Sequence, residues 1–225
     1  MPSPLFISFE GGEGAGKSTQ AKILHDRLGA AGIRAALVHE PGTTPLGSYL
    51  RDYLKSKQPL SKEAELLLFE AARAELVVEK IRPSLDQGLV VIADRFEAST
   101  IAYQGYGRNI DLKVIHYLNS FATSGRFPDL AFLLDLEPAE GLRRIGNPQL
   151  ALPLELGQAS AAGRQDIEGH RRFEDESLQF HARIRRGFLT LARADPARWV
   201  IIDATLPAGK VSRLVWDQVA KRLKL

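Results

Sequence analysis

The sequence predicts an α/β fold: a five-stranded parallel sheet flanked by helices, with a lid segment. Three observations carry that reading. Short apolar runs alternate with longer stretches of helical period along the whole chain, the pattern of strands joined by helical crossovers. The short runs are apolar at every position, as strands buried on both faces should be. The residues with chemistry to offer fall just after the runs, beyond the carboxyl ends of the strands, where open parallel sheets bind ligands.

Leu5–Phe9 reads as the first strand and Lys17–Ala31 as the helix after it, ending at Gly32. Arg34–His39 is the second strand. Pro45–Lys55 and Ser61–Arg82 read as helices, the second closed by Pro83. Leu89–Ala93 is the third strand and runs into Asp94 and Arg95. Glu97–Gln104 and Asp111–Thr123 are helical, and Leu130–Leu136 is the fourth strand. Pro138–Ile145 and Arg172–Ala194 are helices, Trp199–Ile202 is the fifth strand, and Pro207–Leu223 closes the chain as an amphipathic helix. No repeat and no linker interrupts this order, so residues 1–225 are expected to form one domain. Residues 146–169, rich in Gly, Pro, Ala, Gln and Leu, carry no Lys or Arg before Arg164 and read as a loop of lid length.

The 225 residues include no cysteine, which excludes disulfides and thiolate metal sites and suits a reducing cytoplasm. The N-terminus lacks the basic start and long apolar run of a signal peptide, and no stretch approaches the ~20 apolar residues of a membrane span. Net charge is +3, with a pI of about 9.2. The compact basic cluster outside the motifs, Lys221, Arg222 and Lys224, reads as a solvated helix end rather than a nucleic-acid contact.

Gly11-Gly12-Glu13-Gly14-Ala15-Gly16-Lys17-Ser18 fits G-x-x-x-x-G-K-S between a strand and a helix, the setting a phosphate-binding P-loop requires. Its glycines let backbone N–H groups curl around phosphate oxygens, and the helix N-terminus adds a favourable dipole. Lys17 reaches the β- and γ-phosphates of ATP, and Ser18 offers its hydroxyl to Mg²⁺. A guanine-binding N-K-x-D is missing from the sequence, and the D-x-x-G at Asp26–Gly29 lies inside a helix. Asp94 and Arg95 end the third strand, so a second phosphate ligand sits beside the Mg²⁺ site. That arrangement suits two phosphorylated substrates. Phe69 and Arg73 are four apart and share a helix face, where a ring can stack on a base and a guanidinium can donate to a base carbonyl. On local sequence alone, Phe69 reads better as a core residue within LLLFEAA.

These residues resemble the thymidylate kinase family over nearly the whole chain. Phe9–Gln20, including Thr19, looks like its P-loop, and Glu40-Pro41-Gly42-Thr43 like its second-strand motif. Asp94-Arg95-Phe96 is similar to its D-R-aromatic signature and Thr100–Gly105 to its T-x-A-Y-Q-G segment, while Phe127-Pro128-Asp129 precedes the fourth strand. The resemblance implies ATP and dTMP as substrates, Mg²⁺ as cofactor and a homodimer. It gives Phe69 and Arg73 the thymine base, sets Thr100 and Gln104 at its polar edge, and puts Tyr103 under the sugar. It gives Arg95 and Arg51 the acceptor phosphate, and turns Glu13 toward a sugar hydroxyl or a Mg²⁺-bound water. Arg51 could equally be a surface arginine. The apolar stripe Leu112, Ile115, His116 and Leu118 could serve as core or as interface.

The lid departs from the family: the stretch matching its Asp-Arg-x-Glu-like end is Arg171-Arg172-Phe173-Glu174, and residues 146–169 look inserted. With Gly14 in the P-loop, a lid arginine is expected to act on the transferring phosphoryl group. The candidates are Arg144, Arg164, Arg171 and Arg172, with Arg172 aligning best and Arg144 also placed at ATP. Asp203-Ala204-Thr205 stands where kinases of this type seat adenine. An acceptor phosphate is already anionic at pH 7, so no catalytic histidine is needed, and the five histidines are read as structural or solvated. Two alternatives remain at this level: another small-molecule P-loop kinase, and a switch or partitioning ATPase without a small acceptor.

Overall fold

The computed structural model describes residues 4–56, 58–146, 173–174 and 176–225, without the side chain of Lys55. The described strands are β1 (Phe6–Glu10), β2 (Ala35–His39), β3 (Val90–Asp94), β4 (Leu130–Asp135) and β5 (Trp199–Asp203), each within a residue or so of its expected bounds. They form one parallel sheet in the order β2-β3-β1-β4-β5. The chain leaves β1 toward β2 and leaves β4 toward β5. The direction of winding therefore reverses at the carboxyl end of β1, where such sheets open a ligand crevice.

Alternate residues of each strand feed opposite layers. Ile7, Phe9, Phe132 and Leu134 face α1 (Lys17–Ala30) and α9 (Ala208–Leu223), packing on Leu24, Leu28, Val211 and Val215. On the other side Ala131 and Leu133 meet Phe180, Ile184 and Phe188 of α8 (Leu178–Ala194). Phe6, Val91 and Ala93 pack there on Leu76, Val77 and Ile81. Each such large apolar side chain removed from water contributes roughly 1.5–3 kcal/mol. Asp129 ties the edges of β1 and β4 together: its carboxylate accepts from Phe6 N at 2.8 Å, and its own N–H donates to Phe6 O at 2.7 Å.

Helix starts follow their caps. Thr44 opens α2 (Pro45–Lys55) by accepting from Gly47 N, and Ser61 opens α3 (Lys62–Leu76) by accepting from Ala64 N. Three expectations need correction. The helix expected to close at Pro83 continues through a π-helical turn, Val77–Ile81, into α4 (Arg82–Asp86), which contains the proline. Arg82 N–H bonds back five residues to Val77 O, and this wider turn takes in a proline that has no N–H to give. The helix expected over Glu97–Gln104 is α5 (Glu97–Thr100) followed by a second π-helical stretch, Ile101–Gly107. Finally, α8 begins at Leu178 and not at Arg172, because Ser177 caps it by accepting from Phe180 N at 3.2 Å. Phe173 and Glu174 form a turn, closed by Glu176 N donating to Phe173 O at 3.1 Å.

The remaining helices are α6 (Leu112–Thr123) and α7 (Pro138–Arg144). Of the stripe on α6, Ile115 is fully buried with Leu112 and Leu118 packed beside it as core, whereas His116 is exposed. The outward apolar face belongs to Val114, Tyr117 and Phe121.

Candidate active site

The P-loop follows β1 and leads into α1. Gly14 stands at φ 65°, and a Cβ there would come 2.2 Å from the backbone oxygen of Gly141 on α7. A Cβ on Gly141 would in turn come 2.2 Å from Glu13 O. Two glycines thus let the loop and α7 touch backbone to backbone. Lys17 is buried, with Nζ donating to Gly12 O at 2.7 Å. Burial, reinforced by Arg95, lowers its ammonium to about 8. Ser18 donates its hydroxyl to the Asp94 carboxylate. This pair of hard oxygens at the foot of the loop fits Mg²⁺, which takes few protein ligands and keeps phosphate and water oxygens. Among the described residues no group of three or more His, Cys, Asp or Glu is arranged to hold a metal by itself.

Beyond the carboxyl ends of β1–β3 lies one pocket. All eight residues expected at the acceptor line it: Glu13, Arg51, Phe69, Arg73, Arg95, Thr100, Tyr103 and Gln104. Six more complete the wall: Glu40, Pro41, Leu54, Ser99, Phe173 and Glu174.

At the end nearest the P-loop, Arg95 adopts φ 69°, a left-handed backbone that costs a β-carbon residue roughly 1 kcal/mol or more. Its guanidinium is held by Glu13 Oε1 at 2.9 Å and Gly11 O at 3.3 Å, and lies 5.0 Å over the Tyr103 ring. Tyr103 donates its hydroxyl to the same Glu13 oxygen at 2.5 Å. Burial alone would push the Glu13 carboxyl up, but Arg95, Lys17 and the Tyr103 bond outweigh it and hold it near 2. Arg51 donates to Pro41 O at 2.9 Å, which stations it on the pocket wall rather than in solvent.

At the far end Arg73 is fully buried. Its Nε donates to Glu40, Nη1 to Glu70 Oε1 (2.8 Å) and Asn119 Oδ1 (2.6 Å), and Nη2 to Glu40 Oε2 (2.7 Å) and Thr100 Oγ1 (2.8 Å). All five guanidinium N–H groups are therefore engaged. Burial lifts the Glu40 carboxyl to about 7 in spite of Arg73. Thr100 accepts from Arg73, which leaves the Thr100 hydroxyl proton free to turn to the pocket. Phe69 and Tyr103 flank the Phe173 ring at centroid distances of 6.1 and 5.4 Å.

Arg144 lies away from this pocket: Nε donates to Glu140 at 2.9 Å and Nη1 to Ala204 O at 3.0 Å, in the turn after β5. In that turn Asp203 accepts from the Thr205 N–H at 2.8 Å. Arg164, Arg171 and Arg172 lie outside the described residues. Phe173 and Glu174 were legible as the end of the lid motif, whereas the sequence did not single out Ser99. The tie from Glu40 and Asn119 to Arg73 left no mark in local spacing. His181 is buried, consistent with a structural reading, and burial lowers its pKa.

A P-loop with a Ser–Asp pair at its foot, facing a second pocket lined by arginines and aromatic rings, defines a P-loop kinase that acts on a small acceptor. The sequence pattern of the family described as Thymidylate kinase matches residues 9–215. A thymidylate kinase from Solidesulfovibrio magneticus is 45% identical over 221 residues, covering 97% of this chain and 100% of that protein. One from Deinococcus radiodurans is 40% identical and covers 99% of both. The crystal structure of thymidylate kinase from Ehrlichia chaffeensis superposes with a TM-score of 0.72 at 32% identity, covering 97% of this chain and 99% of that one. The chain belongs to the thymidylate kinase family, a family of nucleoside monophosphate kinases.

Proposed function

We propose that this chain, as one domain, transfers the γ-phosphoryl group of ATP to dTMP, giving ADP and dTDP for dTTP synthesis. The observation that carries the proposal is the single pocket in which the P-loop's Glu13 and the strand-end Arg95 meet Phe69, Arg73, Thr100 and Gln104. Arg95 and Arg51 orient the acceptor phosphate, Tyr103 supports the sugar, and Phe69 stacks on the base. The attacking oxygen is already anionic, so the residues position reactants and neutralise charge, and none needs to take a proton. Lys17 acts on the β- and γ-phosphates with the P-loop amides of Gly11, Gly12, Gly14, Ala15, Gly16, Ser18 and Thr19. Ser18 and Asp94 would hold Mg²⁺, which supplies charge neutralisation at those phosphates. The contact of Arg144 with the Ala204 turn supports a place for it beside adenine. Gly14 offers no side chain, so we assign the arginine on the transferring group to Arg172. No described helix is long and apolar enough to cross a membrane, and we place the enzyme in the cytoplasm as a homodimer with no nucleic-acid partner.

ADP release with ATP and Mg²⁺ across a panel of nucleosides and monophosphates tests the reading. Turnover should require an acceptor and rank dTMP first, with dUMP retaining part of it, since one methyl contributes roughly 1–3 kcal/mol. Lys17→Ala should lower kcat by at least ~10³-fold, and Arg172→Ala by a comparable factor. Steady hydrolysis of ATP without acceptor, or equal kcat/KM for dTMP and dCMP, overturns it.

A further inference from the structure

Gln104 reaches the acceptor pocket with its amide orientation decided from behind. Nε2 donates to Glu65 Oε1 at 2.9 Å, and Glu65 is buried. A carboxylate only accepts, so Gln104 must turn its NH₂ toward Glu65 and its oxygen the other way. Gln104 lines the pocket, so the side-chain oxygen is what it shows to a ligand there. Beside it, Thr100 has a hydroxyl proton to give.

Glu65 is itself held. Arg108, the residue that ends the π-helical stretch, grips it with Nε at 3.2 Å from Oε1 and Nη2 at 3.3 Å from Oε2. The third arm of that guanidinium, Nη1, donates to Glu176, just before α8. Its carbon lies 4.7 Å from the Phe180 ring and 5.6 Å from the Phe173 ring. Arg108 itself is not on the pocket wall.

We infer that Arg108 is a positioning residue for acceptor choice: by fixing Glu65 it locks Gln104 with its oxygen toward the base. The inference deepens the assignment of this pocket to dTMP and rests on it. An oxygen at that place accepts from the imide N–H of thymine or uracil. It opposes the bare ring nitrogen that cytosine carries at the same position. The methyl group plays no part in this discrimination, so dUMP against dCMP reads it cleanly.

Two variants separate the locking role from plain support of the fold. Arg108→Met keeps a side chain that packs on Phe180 but removes every donor, so that Glu65 is no longer held in place against Gln104 and the amide loses its fixed orientation. Glu65→Gln is isosteric and lets residue 65 donate to Gln104, so that Gln104 can turn its NH₂ into the pocket. The ratio of kcat/KM for dUMP over dCMP should fall about tenfold or more in both, through a raised KM for dUMP and a lowered KM for dCMP. Saturated kcat with dTMP should stay within a few-fold. A residue that only supports the fold would lower melting temperature and active fraction but leave that ratio alone. If folded Arg108→Met keeps the ratio within about twofold, the inference is overturned. If that variant does not fold, an unchanged ratio in Glu65→Gln overturns it equally. A parent enzyme that shows no preference for dUMP over dCMP fails at the earlier step, the base-reading role of the pocket itself.

Discussion

Arg73 stands with every N–H committed, and its partners Glu40, Glu70, Thr100 and Asn119 come from four separate stretches of the chain. Its spacing from Phe69 was enough to put it on the right wall. The partners could not be read, because a tie across 33 or 46 positions leaves no periodic trace. Glu10 shows the same kind of hidden demand. It is buried at the end of β1, accepting from Phe96 N at 2.9 Å and the Ser99 hydroxyl at 2.7 Å. Burial first, then Glu97, raises its carboxyl from an ordinary 4.5 to about 7. The folded protein therefore holds that proton more tightly than the unfolded chain does. The stability this contributes is fully present below pH 4.5 and is lost as pH rises through 7. Glu10→Gln removes the titration while keeping the shape. Between pH 5 and pH 8 the melting temperature of the parent should fall relative to that of Glu10→Gln by about 5 °C, since a shift of this size amounts to a few kcal/mol. Parallel curves of melting temperature against pH would show that Glu10 stays ionised throughout.

At the scale of elements, the strands and most helices were legible because burial on two faces, or on one stripe, writes itself into the order of apolar residues. The two π-helical stretches were not, since an i→i+5 turn keeps nearly the same apolar spacing as an α-helix. Pro83 made the first of them look like an end. The start of α8 was not legible, because the charges of residues 171–176 and the ring of Phe173 suit a helix, and only the cap at Ser177 marks its N-terminus. The contact between the P-loop and α7 also escaped the sequence. The sequence marks Gly14 as a phosphate-loop glycine without an arginine side chain, and nothing in it marks Gly141 as its neighbour. Their backbones meet so closely that a methyl group on Gly141 must push the loop at Glu13 O. Gly141→Ala is expected to raise KM for ATP about tenfold, with a loss of melting temperature of only a few degrees, because the strain falls on the loop and not on the core. Unchanged ATP kinetics in that variant would mean that α7 yields and the loop does not.

Over the whole molecule, several of the described large apolar side chains left exposed fall on three neighbouring helices. Tyr49 and Tyr53 on α2, Leu67 on α3, and Val114, Tyr117 and Phe121 on α6 are all exposed, Phe121 by 76%. Because α3 packs against both α2 and α6, these three helices form one neighbourhood. Exposed apolar patches of this kind mark interaction sites, and the homodimer proposed above would cover this one with its own copy. Tyr117→Asp combined with Phe121→Asp should convert the protein from dimer to monomer in sedimentation velocity at micromolar concentration. An unshifted dimer would place the interface elsewhere, and a monomeric parent would remove it.

Arg73 carries a further meaning once the pocket is seen as a recognition surface. A free arginine gives up roughly 1.5–2 kcal/mol of rotamer entropy when it is immobilised. Here that loss has already occurred during folding, because Glu40, Glu70, Thr100 and Asn119 hold the side chain in one place. Whatever faces Arg73 meets a fixed template, and its own association carries little of the ordering cost that a loose arginine would add.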